Sequence, residues 1–218
     1  IMHETDQADD NIMSNKGTAP EEALPAKMPT YGEAVSQGAI QVTWFGHSTM
    51  LLQMHDLNIL VDPVFSDRSS PVSFAGNKRF SYPPIDVDEL PEIDVVILSH
   101  DHYDHLDYKV IQSIDSKVAH YIVPLGVENH LIRWDVAENK IENMAWWEET
   151  EYKGLTIGCT PARHYSGRSL DDQFATLWAS WVFKDEFHQV YESGDSGYGD
   201  HFQKIHDKYG DFDFVLMD

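Results

Sequence analysis

The chain has 218 residues, 42% of them hydrophobic, which is typical of one globular domain with or without a tail. Its 15 lysines and arginines are outnumbered by 37 aspartates and glutamates. The resulting net charge of −22 argues against a nucleic-acid partner, because such a field repels phosphate backbones. Cys159 is the sole cysteine, which excludes an internal disulfide and a cysteine-rich zinc site.

No stretch approaches the roughly 18 consecutive apolar residues that a membrane-spanning helix requires. The first residues also lack the charged and then apolar pattern of a secretory signal. With the lone cysteine, these features favour a cytoplasmic location and at most peripheral contact with a membrane. Because Ile1 is not a natural start, an export signal or anchor ahead of it is left open.

The chain is predicted to begin with a loosely ordered polar arm at residues 1–38, which are rich in polar residues and proline and lack apolar periodicity. The domain is expected to occupy residues 39–218. Short apolar or alternating runs rich in β-forming residues open this domain. They predict strands at 39–46, 48–54 and 57–63.

The segment 64–92 holds four prolines and is predicted to be a long loop, and such loops are often functional. The nearly continuous apolar run 93–98 predicts a strand buried on both faces. Helices are predicted at 107–115, 124–133 and 199–208, and strands at 118–123, 140–146, 154–160, 174–184, 187–193 and 212–217. Because strands outnumber helices, a layered α/β sandwich is expected rather than a doubly wound sheet.

A cluster of polar side chains directly follows the buried strand: three histidines and two aspartates lie within the six residues from His100 to His105. Residues two apart on an extended turn can point to the same side, so His100 and His102 can bind one ion. Asp104 and His105 can then reach a second ion beside it. Imidazole and carboxylate together suit zinc, iron or manganese. A metal centre explains this cluster better than a polar surface turn does.

The pattern His-x-His-x-Asp-His in this cluster resembles the signature of the metallo-β-lactamase superfamily. Within it, the chain is similar to the branch of the N-acyl-phosphatidylethanolamine-hydrolysing phospholipase D and its bacterial relatives. The matching segments are WFGHSTMLL (44–52), DPVFSDRSSP (62–71), SHDHYDHLD (99–107), VPLG (123–126), WWEE (146–149), TPARHYSGR (160–168), TLWASWV (176–182) and SGDSGY (193–198). The resemblance implies an α/β fold of the metallo-β-lactamase type, an αββα sandwich.

The resemblance also implies a set of ligands for two divalent metal ions, with zinc favoured and iron or manganese left open. The implied ligands are His100, His102 and His164 for the first ion, Asp104 and His105 for the second, and Asp195 between the two. Asp104 and Asp195 are also the residues expected to be catalytic. The family pattern supplies a further histidine after the Asp195 motif. The expectation is that this chain, which stops at Asp218, lacks the C-terminal part of the fold and binds the second ion more weakly.

Three further residues are expected near the centre. Asp62, at the end of a strand, is implied to be a carboxylate that orients a ligand histidine, with an ordinary Asp-Pro turn as the alternative. His47 either lines the same site or supports a strand turn. Arg168 either binds a phosphate group or makes an ordinary salt bridge.

The chemistry implied is hydrolysis by a hydroxide shared between the two ions, so neither a serine nor a cysteine nucleophile is needed. The resemblance implies a small-molecule or lipid phosphodiester as substrate, such as an N-acylated phosphatidylethanolamine. A lactonase or another small-ester hydrolase is the alternative within the same class. A di-iron redox domain and a non-catalytic metal-binding fragment are alternatives of other classes, and the oligomeric state is left open.

Overall fold

The structure is a computed structural model that describes residues 20, 22, 24–30, 38–72 and 74–217. Most of the predicted polar arm, 1–38, therefore lies outside the described residues. Among those described, no helix is both long and apolar enough to cross a membrane.

The described residues form strands and three short α-helices in mixed order. The strands are β1 (Gln41–Gly46), β2 (Thr49–Met54), β3 (Leu57–Val61), β4 (Arg68–Ser69), β5 (Asn77–Lys78), β6 (Ile93–Ile97), β7 (Val118–Pro124), β8 (Ile141–Met144), β9 (Glu149–Tyr152), β10 (Leu155–Thr160), β11 (Ser180–Lys184), β12 (Gln189–Glu192) and β13 (Phe214–Leu216). The helices are α1 (Tyr108–Ile114), α2 (Glu128–Arg133) and α3 (His201–Tyr209).

Two sheets carry the fold. The first has the order β1-β2-β3-β6-β7-β8, with antiparallel pairs up to β3 and parallel pairs from β3 onward. The second has the order β13-β12-β11-β10-β9, and its pairs are antiparallel except for β12 with β13. The two-residue strands β4 and β5 pair with each other inside the predicted long loop.

Burial divides the core into layers that follow the alternation of side chains along each strand. On β6, Val95 and Ile97 pack with residues of the second sheet, whereas Val96 packs with the layer that contains α1 and α2. A smaller cluster under α3 includes Val182 and Ile205. The layers therefore run helix, sheet, sheet, helix, as expected for an αββα sandwich.

Helix α1 follows the histidine-rich loop and anchors its far end. The Asp107 carboxylate caps the helix by accepting hydrogen bonds from the backbone N–H groups of Lys109 and Val110, at 3.0 and 3.4 Å. Val110, Ile111 and Ile114 are buried on one face. The loop is thus held between a buried strand and a packed helix.

One predicted strand was wrong in part, and one strand was missed. The strand predicted at 174–184 begins only at Ser180, because the preceding backbone N–H groups bond to loops: Ala179 N donates to the carbonyl of Ser99 at 2.8 Å. The edge strand β9 (Glu149–Tyr152) was not predicted, since none of its residues is buried and it forms no apolar run.

Candidate metal centre

The predicted ligands come together where strands of both sheets end on one side of the sandwich. The loop that follows β6 carries the histidine-rich cluster, and a turn within it is closed by hydrogen bonds from the N–H groups of His105 and Leu106 to the carbonyl of His102, at 3.1 and 2.8 Å. His164 follows β10, and Asp195 follows β12. Residues far apart in sequence therefore meet because these strand ends are neighbours.

The first group of donors consists of His100, His102, His164 and Asp195, whose ligand atoms all lie within 4.8 Å of one another. His102 Nδ1 lies 2.8 Å from His100 Nε2 and 3.2 Å from His164 Nε2, and His164 Nε2 lies 3.5 Å from Asp195 Oδ2. Two atoms each ~2.1 Å from one zinc ion in a tetrahedral arrangement are about 3.4 Å apart. The spacing of these donors is therefore that of ligands around one ion.

The second group consists of His47, Asp104 and His105, again with ligand atoms within 4.8 Å of one another. Asp195 lies between the two groups, because its Oδ1 is 3.1 Å from His105 Nε2 while its Oδ2 faces His164. One carboxylate thus has an oxygen directed toward each group.

Asp62, which follows β3, contacts a histidine of the second group directly and a histidine of the first group through the Ser99 hydroxyl. It is fully buried and accepts hydrogen bonds from the Ser99 backbone N–H at 2.7 Å, from the Ser99 hydroxyl, and from His105 Nδ1 at 2.7 Å. The Ser99 hydroxyl also lies 2.9 Å from His100 Nδ1. A proton on Nδ1 of His105 leaves the lone pair of Nε2 facing Asp195, the arrangement that carboxylate–histidine–metal triads use.

One buried atom tests whether these residues fit a metal. His105 Nε2 is buried, and Asp195 Oδ1 lies 3.1 Å from it, close to the separation expected for two ligands of one ion. An ion held between His105 and Asp195 would bond to this atom, so the residues present fit a metal.

The protonation states of the donors also suit a cation. Burial lowers the pKa of His100 well below its ordinary value, with smaller effects from neighbouring histidines, and burial also lowers the pKa of His102 and His164. Burial opposes ionisation of Asp104, but the hydrogen bond from His47 and the charge of His105 bring its pKa below the ordinary value. Neutral imidazoles and ionised carboxylates are the forms that bind metals.

His105 is the exception among the imidazoles. Burial favours its neutral form, yet the carboxylates of Asp62 and Asp195 raise its pKa well above the ordinary value. A metal ion bound at His105 would therefore displace a proton.

Gly194 allows Asp195 to approach the loop. Its φ of +51° lies in the left-handed region that favours glycine, and a Cβ there would be 2.7 Å from the carbonyl of Ala179 and 3.0 Å from the Cβ of Ser99. A larger residue would push the strand end that carries Asp195 away from the histidines.

Arg168, the remaining predicted residue, lies behind the loop. Its Nη1 donates to the backbone carbonyls of Asp101 and Leu106 at 2.7 and 2.8 Å, and its guanidinium carbon lies 4.0 Å from the centre of the Tyr103 ring. These contacts tie the two ends of the histidine-rich turn together. A direct contact of Arg168 with a phosphate group stays a prediction.

Sequence reasoning missed Asp101, which supports the loop on the side opposite the donors. Its carboxylate accepts hydrogen bonds from Gly167 N at 2.7 Å and Thr176 Oγ1 at 3.0 Å, and it lies 3.3 Å from His130 Nε2. The one available signal was its place between His100 and His102, where alternation turns its side chain away from theirs.

A groove of about 600 Å³ adjoins the second group of donors, and His47 and Asp104 are among its lining residues. Aromatic side chains form much of its wall, including Trp44, Phe80 and Tyr82, which are each at least half exposed. Three cationic side chains, Lys27, Lys78 and Arg79, also line it, together with the carboxylates of Asp67 and Asp104. The groove therefore combines apolar surface with a small excess of positive charge in an otherwise acidic chain.

Comparison with known proteins agrees with this geometry. Residues 57–218 match the family model of the beta-lactamase superfamily domain. The chain is 40% identical over 209 residues to an uncharacterized protein of Mycobacterium tuberculosis, a match that covers 94% of this chain and 55% of that protein. It is 34% identical over 227 residues to N-acyl-phosphatidylethanolamine-hydrolyzing phospholipase D 1 of Caenorhabditis elegans, covering 100% of this chain and 63% of the relative.

The chain thus spans between about half and two thirds of the length of these relatives. Among solved structures, a possible metal-dependent hydrolase from Veillonella parvula has a TM-score of 0.61 at 18% identity, covering 82% of this chain and 71% of that one, which supports the fold alone. The resemblance predicted from the sequence is confirmed: the chain belongs to the β-lactamase superfamily, has the metallo-β-lactamase fold and is similar to N-acyl-phosphatidylethanolamine-hydrolysing phospholipases D.

Proposed function

We propose that this chain carries the catalytic centre of a metal-dependent phosphodiesterase that acts on a substrate with a large apolar substituent. The observation that carries the proposal is the position of Asp195, whose two carboxylate oxygens face two separate groups of donors. His100, His102, His164 and Asp195 would hold one ion, and Asp104, His105 and Asp195 would hold a second. The imidazole-rich donor set favours zinc, and iron and manganese also bind such donors.

Two divalent ions at such a centre supply a water of lowered pKa and polarise the scissile ester. The chain's own residues then orient the reaction. Asp195 lies where a carboxylate can accept a hydrogen bond from the attacking water and fix its direction. Asp62 keeps the proton of His105 on Nδ1. Ser99 and Asp62 hold the imidazoles in place, so the donors need no rearrangement when the substrate binds.

The groove beside His47 and Asp104 supports a phosphodiester with an apolar tail. Its aromatic wall offers contact area for acyl chains, and its lysine and arginine side chains can offset the charge of a phosphate. The similarity to the C. elegans phospholipase favours an N-acylated phosphatidylethanolamine as the substrate. Such a substrate requires peripheral contact with a membrane, and the cytoplasmic location stays a prediction.

The test compares hydrolysis of bis(p-nitrophenyl) phosphate with release of phosphatidic acid from vesicles that contain N-acyl-phosphatidylethanolamine, after loading the chain with zinc. Replacing Asp195 by Asn or His102 by Ala is expected to lower turnover by about 10²–10⁴-fold. His206→Ala, at an exposed position on α3, is the control and should leave turnover unchanged.

Several results would contradict the proposal. Turnover by Asp195→Asn near the wild-type rate would remove Asp195 from the reaction. Hydrolysis of lactones with no activity on either phosphodiester would favour the lactonase alternative. Two bound irons with a visible chromophore and no hydrolysis would favour a redox domain, and metal binding without turnover on any ester would favour a binding fragment.

A further inference from the structure

The β1–β2 turn adds an imidazole to the second group of donors. β1 ends at Gly46 and β2 begins at Thr49, so His47 and Ser48 form the whole connection. Ser48 is buried, whereas the His47 side chain is directed over the end of the sheet toward Asp104. The turn is held by a hydrogen bond from Trp44 Nε1 to the carbonyl of His47, at 2.6 Å.

We propose that His47 is a protein ligand of the second metal ion. The proposal rests on the two-ion centre proposed above. His47 Nε2 lies 3.2 Å from Asp104 Oδ2, close to the spacing of about 3.4 Å expected for two ligands of one zinc ion. The ring centres of His47 and His105 are 5.0 Å apart, and the ligand atoms of all three residues lie within 4.8 Å of one another.

A simple surface ion pair is the other explanation for the contact between His47 and Asp104. Both side chains are about 40% exposed, and an exposed pair of this kind contributes ~0–1 kcal/mol. An ion pair between His47 and Asp104 also does not explain why a third ligand atom, on the buried His105 imidazole, lies within 4.8 Å of the other two. One cation placed among the three side chains accounts for both observations.

The ligand set of the second ion also favours His47. Among the described residues, the other candidate ligands of this ion are one imidazole and two carboxylates, of which Asp195 is shared with the first ion. With His47, the second ion has two imidazoles, and zinc bound by histidine and carboxylate is a common catalytic arrangement. The first group already has three imidazoles, so His47 makes the two sets of donors more alike in composition.

The position of His47 also assigns the groove to one of the two ions. His47 and Asp104 line the groove, whereas the three histidines of the first group, His100, His102 and His164, are not among its lining residues. The second ion would therefore face the groove directly. A substrate that enters with its apolar part along Trp44 would bring its polar group to this ion first.

The experiment measures metal binding rather than activity. Wild-type chain stripped by chelator is titrated with Co²⁺, and the stoichiometry and affinities are followed by calorimetry and by the visible absorption of bound cobalt. The variant is His47→Asn, because Asn tolerates the left-handed backbone found at His47, where φ is +49°. The control is His55→Asn in the β2–β3 turn, where φ is +53° and the imidazole faces Asp185 instead.

We expect two ions to bind to the wild-type chain and to His55→Asn. In His47→Asn the first ion should bind as in the wild type, and the second at least ~100-fold more weakly, since even outer partners of ligands are worth roughly 10–100-fold. Circular dichroism checks that both variants fold. Wild-type affinity for both ions in His47→Asn, equal weakening of both ions, or a single ion in the wild type would each overturn the assignment.

The outcome is distinguishable from failure of the proposed function. If the second ion is lost in His47→Asn but the loaded wild-type chain cleaves no phosphodiester, the ligand assignment stands and the function does not. If the wild type cleaves phosphodiesters and His47→Asn binds both ions normally, the function stands and the assignment is wrong.

Discussion

Replacing Asp62 by Asn is the most informative change at the base of the metal centre. Asp62 has a φ of +40°, and Asn adopts this left-handed conformation readily, so the backbone should be preserved. The amide oxygen can still accept the hydrogen bond from Ser99 N. The new NH₂ group, however, would face His105 Nδ1 at the position where the carboxylate now accepts a hydrogen bond.

The size of the effect follows from this geometry. An NH₂ group facing His105 favours a lone pair on Nδ1 and a proton on Nε2, and the latter is the atom that would bind the second ion. Loss of an outer carboxylate of this kind costs roughly 10–100-fold in metal affinity, or about 1.4–2.7 kcal/mol. The first ion should be affected less, because His100 reaches Asp62 only through the hydroxyl of Ser99.

The assay is competition for Zn²⁺ between the protein and a coloured chelator, with Asp185→Asn as the matched control. Asp185 is also a buried aspartate: its side chain is 3% exposed, accepts a hydrogen bond from Phe187 N at 2.8 Å and lies 3.8 Å from His55 Nδ1, in the turn region away from the donors. Asp185→Asn should bind both ions as the wild type does. If Asp62→Asn also binds both ions within about twofold of the wild-type affinity, the Asp62 carboxylate does not orient His105.

Two further predictions concern stability. Burial, with a smaller effect from the charge of Asp62, raises the pKa of Glu192 from 4.5 to about 8. Between these two values the folded chain keeps a proton that the unfolded chain has lost. The free energy of unfolding of the metal-free protein should therefore fall as the pH rises from about 5 to 8. In Glu192→Gln the free energy of unfolding should fall less over this pH range. The same change of melting temperature with pH in the wild type and in Glu192→Gln would contradict the prediction. Arg168→Met leaves two loop carbonyls without their donor and should cost ~2–5 kcal/mol in denaturant unfolding, whereas exposed Arg133→Met should change it little.

The cluster after β6 could be predicted from sequence because its signal is local. His100, His102, Asp104 and His105 occupy adjacent positions after an apolar run, and both the strand and the turn can be inferred from that run. The layered fold could be predicted for the same reason, since each buried strand has its own apolar pattern. Where that pattern is missing, as in β9, the prediction failed.

The other site residues carry no such signal. His164 is a single histidine after a strand, and its meeting with His102 depends on the pairing of β10 within the second sheet. The role of Asp101 depends on hydrogen bonds to Gly167 and Thr176, residues more than 60 positions away. His164 and Asp195 could be predicted as site residues only through a family motif. The supporting role of Asp101 could be found only from the structure.

The position of Asp62 depends on the register of two parallel strands. β3 and β6 pair with Leu60 opposite Val96 and Val61 opposite Ile97, and Asp62 N then donates to the carbonyl of Ile97 at 3.0 Å. A shift of one residue would move Asp62 by about 3.3 Å and turn its side chain to the other face of the sheet. Either change exceeds what a 2.7 Å hydrogen bond to His105 can tolerate. The apolar residues that set this register therefore also set the geometry of the proposed metal ligands, so a core substitution that shifts β3 should weaken metal binding before it unfolds the domain.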